Sequence, residues 1–158
     1  MWERLRRRCS SLRVSRSGSP RGHRRRARTI TELVTAPLAQ VADIEDGHSK
    51  GFDPLGEGRD TMFIVRRGEA LFGWRNACPH YDHARMAWKK DEFLTGDRAR
   101  IVCGAHGAQF EIDTGLCVLG PCLGDRLTAV ALEVRDGAIF LAAPYAPGLR
   151  PRMGRAHH

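Results

Sequence analysis

A chain of 158 residues with a formal charge of +8 is the size of one domain with tails, and such a chain buries roughly two thirds of its unfolded surface without needing disulfides. No apolar run approaches the ~18 residues of a membrane span, and five cysteines at this length do not make a secreted disulfide scaffold, which favours metal or catalytic use. Residues 1–28 carry eleven Arg and one acid, whereas residues 29–144 carry 12 basic and 17 acidic side chains. The body is therefore mildly acidic, which argues against a nucleic-acid module with its basic patch on the folded domain.

In chain order, residues 1–30 are Arg- and Ser-rich and cannot bury enough surface to fold alone. They are expected to form a disordered extension. A transit peptide, or a basic arm for nucleic acid or anionic lipid, fits the same composition. No apolar segment follows the charges, against a secretory or twin-Arg signal. From Thr31 short apolar runs alternate with Gly- and Asp-containing breaks. IEDGHSKG (44–51) reads as a turn, and TMFIVR (61–66) as a strand. A tight turn at Arg67-Gly68-Glu69 then pairs that strand with ALFGW (70–74) as a hairpin. Ile101-Val102 leads into CGAHG. QFEI (109–112) alternates polar and apolar before the turn Asp113-Thr114-Gly115. LTAVALEV (127–134), Arg135-Asp136-Gly137 and AIFL (138–141) make a second hairpin. Short strands at regular Gly turns predict an all-β domain over residues 31–143, with a Pro/Gly/Arg-rich flexible tail over 144–158.

NACPHYDH (76–83) packs a thiol and two imidazoles into six residues, so Cys78 can pair with His80 or with His83. Cys103-Gly104-Ala105-His106-Gly107 supplies a second thiol and imidazole after a gap of twenty-two residues. A single Cys or His is usually a core residue. Two such pairs on adjoining loops point to a metal. Zinc accepts two Cys and two His tetrahedrally, although its fingers usually pair Cys with Cys and His with His. One of each per loop also suits a [2Fe-2S] centre of the Rieske kind, with two Cys on one iron and two His on the other.

CPH, then CGAHGAQFEIDTG, then GPC resembles the Rieske-domain family over roughly residues 32–143. The resemblance implies an antiparallel β-sandwich with a small cluster-binding subdomain built from two loops. It makes Cys78, His80, Cys103 and His106 the cofactor-binding and metal ligands of one [2Fe-2S] cluster, and leaves His83 unused. Gly107 matches a glycine where backbone approaches the cluster. Phe110, Asp113 and Gly115 match the continuation, and Gly120-Pro121 matches the loop that covers the cluster. The insertion before Cys103 contains Trp88-Lys89-Lys90-Asp91-Glu92, a candidate partner-facing surface. Met86, Trp88 and Leu119 are candidates for the rim of the site, although ordinary core packing is the favoured reading of each.

Respiratory relatives join their cluster loops by a disulfide and place a serine two residues after the second histidine. Here those positions hold His83, Ala105 and Ala108. An oxidised cluster is neutral when two ferric ions offset two sulfides and two thiolates, and one added electron leaves −1. Hydrogen bonds to sulfur stabilise that charge and raise the potential. Ala108 and the acidic body therefore predict a low-potential, ferredoxin-like centre. The resemblance implies a cytoplasmic one-electron carrier between a reductase and a terminal oxygenase, the electron-transfer component of a dioxygenase-type system. An integral subunit of a larger, nitrite-reductase-like oxidoreductase is the alternative. Cys117 and Cys122 bracket Gly120-Pro121 and are expected to be reduced and buried.

Overall fold

The computed structural model describes residue 32, residues 35–81 and residues 84–142. The extension over 1–30, the tail over 144–158 and His83 lie outside the described residues.

Strand β3 (Met62–Arg67) is the spine. Its residues Met62, Phe63, Ile64 and Val65 are all fully buried, so the strand is covered on both faces. Because side chains alternate along a strand, Met62 and Ile64 enter one core while Phe63 and Val65 enter the other. β3 forms a hairpin with β4 (Ala70–Arg75) as the sequence predicts, and Arg67 lies opposite Ala70. That register leaves a two-residue turn whose Gly68 sits at φ +57°, the left-handed geometry that favours tight hairpins. The other edge of β3 pairs with β2 (Ser49–Phe52), with Gly51 opposite Phe63.

β2 corrects the reading of IEDGHSKG as turn throughout. The turn ends at His48, whose N–H donates to the Glu45 carbonyl, and Ser49 already pairs with Val65. SKGF shows no apolar alternation. It is a strand because β3 offers it an edge, and Gly51 leaves room for the Asp60 carboxylate lying against it.

A second sheet orders β1 (Ala39–Gln40), β9 (Ala138–Leu141) and β8 (Leu132–Arg135). Between β8 and β9, Asp136 and Gly137 take φ +50° and +76°, the pair of positive φ values that a type I′ turn requires. LTAVALEV is only partly strand. Its first half docks on the end of β4 instead, through Arg75 N–H to Thr128 O (2.9 Å) and Val130 N–H to Gly73 O (2.9 Å). Ile44, Met62, Ile64, Val130, Ile139 and Leu141 fill the core between these two sheets.

The third sheet is small: β5 (Ile101–Val102), β6 (Gln109–Phe110) and β7 (Cys117–Leu119), in that order. QFEI stops being a strand at Phe110, because Glu111 turns to accept Gly115 N–H (3.0 Å). This sheet packs on β3 and β4 through Phe63, Trp74, Ile101 and Phe110, with Phe93 stacked on Phe63 at 4.2 Å. The β-sandwich expected from the sequence is thus present, with a small subdomain at one end that holds both Cys–His loops.

Candidate metal centre

The first loop leaves β4 at Arg75, and Asn76 fastens it. The Asn76 Oδ1 accepts Met86 N–H (2.8 Å) while its Nδ2 donates to Asp60 O (2.9 Å). Reading the sequence passes over Asn76, whose position just ahead of Cys-x-His was the available signal. Cys78 N–H donates to Ala84 O (3.0 Å) and Tyr81 N–H to Cys78 O (3.2 Å). The chain so turns on itself, burying Cys78 completely and leaving His80 half-buried.

The second loop joins β5 to β6. Cys103 N–H donates to Ala108 O (2.8 Å) and Gly107 N–H to Cys103 O (2.8 Å), closing a tight loop around His106. Gly107 supplies the positive φ of +67° that this closure needs. Gly104 N–H donates to Met86 O (2.7 Å), tying the two loops together. The indole of Trp88 lies directly on Gly104, where any side chain would collide with it.

A third loop covers both. Gly120 packs so closely on Ala108 that a Cβ there would lie 2.7 Å from the Ala108 Cα. Cys117 and Cys122 on either side are free thiols, both buried, as expected.

Three of the four predicted ligands form one close group, and His106 meets it through His80. The ligand atoms of Cys78, His80 and Cys103 all lie within 4.8 Å of one another. His106 Nδ1 lies 2.5 Å from His80 Nε2, and the rings meet edge-on with centroids 4.4 Å apart. Both sulfurs are inside the core, whereas His106 is exposed. The Cys78 hydrogen bond, followed by the N–H groups of Ala105 and His106, draws the Cys103 thiol down to about 5. That same bond, with burial, holds the Cys78 thiol far above its ordinary range. Metal binding requires both thiols in their deprotonated form. Burial, then Cys117, pushes the Cys122 thiol up to about 11.

This donor set fits a two-iron cluster of mixed ligation: two thiols on the inner side, two imidazoles on the outer. The three rim candidates divide. Met86 is fully buried, its main chain spent on Asn76 and Gly104, so it is core. Trp88 (80% exposed) and Leu119 (53%) are surface rather than core, and Leu123 (70%) and Tyr81 (62%) join them. The last two lack any periodic signal, since only the loop fold turns them outward.

No curated protein matches the sequence. Among solved structures, the fold is similar to the ferredoxin of carbazole 1,9a-dioxygenase from Nocardioides aromaticivorans IC177, at 22% identity over 68% of this chain and 95% of that one, with TM-score 0.52. A Sphingomonas yanoikuyae B1 ferredoxin is similar at 24% identity, 69% and 98% coverage, and TM-score 0.53. A chain of the reduced complex between oxygenase and ferredoxin in carbazole 1,9a-dioxygenase is similar at 17% identity, with 70% of this chain matching 28% of that one at TM-score 0.56. The family model described as the Rieske [2Fe-2S] domain matches residues 34–135, which include both Cys–His loops and the loop that covers them. Sequence match, fold and donor set agree, and this chain belongs to the Rieske [2Fe-2S] domain family.

Proposed function

We propose that Cys78 and Cys103 hold one iron of the cluster, that His80 and His106 hold the other, and that the protein is a cytoplasmic one-electron carrier between a reductase and a terminal oxygenase. The domain limits on this reading are residues 31 and 143. The bound cluster supplies reversible one-electron chemistry. The chain's own residues set where that electron enters and leaves. Cys78 and Cys103 are fully buried, so the sulfur side is shut off from solvent. His106 is exposed and touches His80, so the imidazole side faces outward. Each imidazole binds through one nitrogen and leaves the other to donate a hydrogen bond.

The observation that carries the reading is the surface around those rings. Tyr81 follows His80, Trp88 lies on Gly104, and Leu119 and Leu123 flank Gly120-Pro121. Four of the five exposed large apolar side chains among the described residues thus sit on the cluster loops, the insertion between them or the flanks of Gly120-Pro121. Exposed apolar groups gathered at one end of a domain mark a contact site for another protein. The structurally similar proteins named as ferredoxins, and the complex with an oxygenase, support an oxygenase as that partner. Among the described residues no helix is long and apolar enough to cross a membrane.

Iron and sulfide analysis with a redox titration tests the reading. Two iron and two sulfide per chain are expected, as the family cluster requires, with uptake of one electron per cluster. Mixing the reduced protein with a candidate oxygenase should then transfer that electron within a turnover. A colourless protein holding zinc would overturn the cluster. A cluster-bearing chain that purifies only within a larger oxidoreductase would overturn the free carrier.

A further inference from the structure

Cys117 and Cys122 are buried free thiols that the metal centre does not use. Their sulfurs lie 3.1 Å apart, with the Cys122 thiol donating to Cys117. A disulfide bond is about 2.05 Å long, so joining the two sulfurs asks for about 1 Å of approach. The residues stand on opposite arms of the covering loop. Cys117 belongs to β7 and pairs with Phe110 of β6, so its arm is part of the third sheet. Cys122 belongs to the returning arm, which lies outside that sheet. Cys117 N–H donates to Asp125 O (2.8 Å) and Gly124 N–H to Cys117 O (3.0 Å), closing the base of the loop. At its tip Gly120 rests on Ala108 of the second cluster loop. Leu119 and Leu123 face solvent, while Cys117 and Cys122 are turned inward at 1% and 2% exposure.

A single buried thiol is a small apolar filler. Two in contact across a loop can exchange a hydrogen bond for a covalent bond with little movement of the chain. The closed loop keeps reagents from both sulfurs, so reaction waits on local opening of the loop. Once one sulfur has reacted, the other is already positioned beside it, and the intramolecular step outruns a second attack from solution.

We propose that Cys117 and Cys122 are a dithiol–disulfide couple that latches the covering loop, oxidised by low-molecular-weight disulfides and reset by thiols. One cysteine gives its proton to water and attacks the small disulfide as a thiolate. The reagent's S–S bond breaks and half of it leaves as a thiolate. The second cysteine, deprotonated in the same way, attacks the first, breaking the mixed disulfide and expelling the other half. Two electrons pass from the pair to the reagent, and the two protons end on the two released thiols. The new bond ties the returning arm to β7, so that arm can no longer swing away from the sheet. Forming the bond does not depend on the metal centre; shielding a cluster by it rests on the ligands proposed above.

The test equilibrates the cluster-loaded, full-length protein with oxidised and reduced glutathione at set ratios, then quenches in acid, alkylates and maps the peptides. As the ratio becomes oxidising, Cys117 and Cys122 should lose alkylation together, giving an internal bond and no glutathione adduct. Excess reduced glutathione should bring both back. Amide exchange at Leu123 and Gly124 should slow about tenfold to fortyfold on oxidation, the upper figure being the chain-entropy effect of closing a loop of six residues. Iron release into a chelator should slow with it. Cys117→Ser and Cys122→Ser should each show neither the internal bond nor the slowed exchange. Thiols that stay alkylatable at every ratio, a glutathione adduct on either residue in place of the internal bond, or a bond that leaves loop exchange unchanged would each overturn the proposal. An internal bond with slowed exchange in a chain that holds no iron would uphold the couple and fail only the ligand assignment.

Discussion

Gly120→Ala would lift the covering loop off the second cluster loop. A Cβ at this position would lie 2.7 Å from the Ala108 Cα and 3.0 Å from its Cβ. The first of these is main chain and cannot swing aside. Gly120 also sits at φ +106°, a backbone conformation that costs a residue with a side chain about 1–3 kcal/mol. Forcing the overlap apart adds about 1–3 kcal/mol. Gly124→Ala isolates the second contribution. Gly124 belongs to the same loop and has φ +90°, but nothing lies within 4 Å of its would-be Cβ. Both variants bear the strain and only Gly120→Ala bears the collision, so their difference should be about 1–3 kcal/mol. Cluster release into a chelator, followed by loss of visible absorbance, reads that difference if the loop must rise before iron can leave. At about 1.4 kcal/mol per factor of ten, Gly120→Ala should bleach roughly five to a hundred and forty times faster than Gly124→Ala. Equal half-times would show that the contact with Ala108 does not guard the cluster.

The ligand assignment predicts that Cys78→Ser or His106→Ala abolishes the normal cluster, whereas His83→Ala leaves iron content unchanged. Iron lost from His83→Ala would put the wrong histidine on the metal. With Ala108 at the hydroxyl position, the wild-type midpoint should fall low in the family range of about −150 to +300 mV; a value well above about +100 mV would contradict the hydrogen-bond argument. Trp88→Ala should weaken partner binding about tenfold, as an aromatic anchor does, while changing stability by less than about 0.5 kcal/mol, as an exposed residue does. Stopped-flow transfer to the oxygenase and urea melts check the two halves, and unaltered transfer would remove Trp88 from the contact. The Thr95 hydroxyl and then the Ala99 N–H hold the exposed Asp97 carboxyl below its ordinary value of 3.8. Because the folded value is the lower one, this turn contributes its stability above the ordinary value and loses it as pH falls through the depressed one. An NMR titration with the Asp97 midpoint at or above 3.8 would refute the turn geometry.

What the sequence determines by itself is local. Cys78-x-His80 and Cys103-x2-His106 name the donor chemistry, because a mixed thiol and imidazole pair on each loop is a property of spacing. Gly68 and Asp136-Gly137 place two hairpins, because a tight turn demands positive φ within two residues. The run MFIV is legible as a buried strand for the same reason of short range. Tertiary structure decides whatever depends on distant neighbours. SKGF is a strand only because β3 presents an edge to it. Met86 is core rather than rim because Asn76 and Gly104 bind its main chain. Tyr81 and Leu123 become surface only through the course of their loops. Cys122 was legible as a buried thiol, but not as part of the same core as Cys78, forty-four positions away in the chain. Spacing along a strand or turn fixes geometry over a few residues. Contacts between loops depend on how the sheets carrying them pack, and no local pattern encodes that.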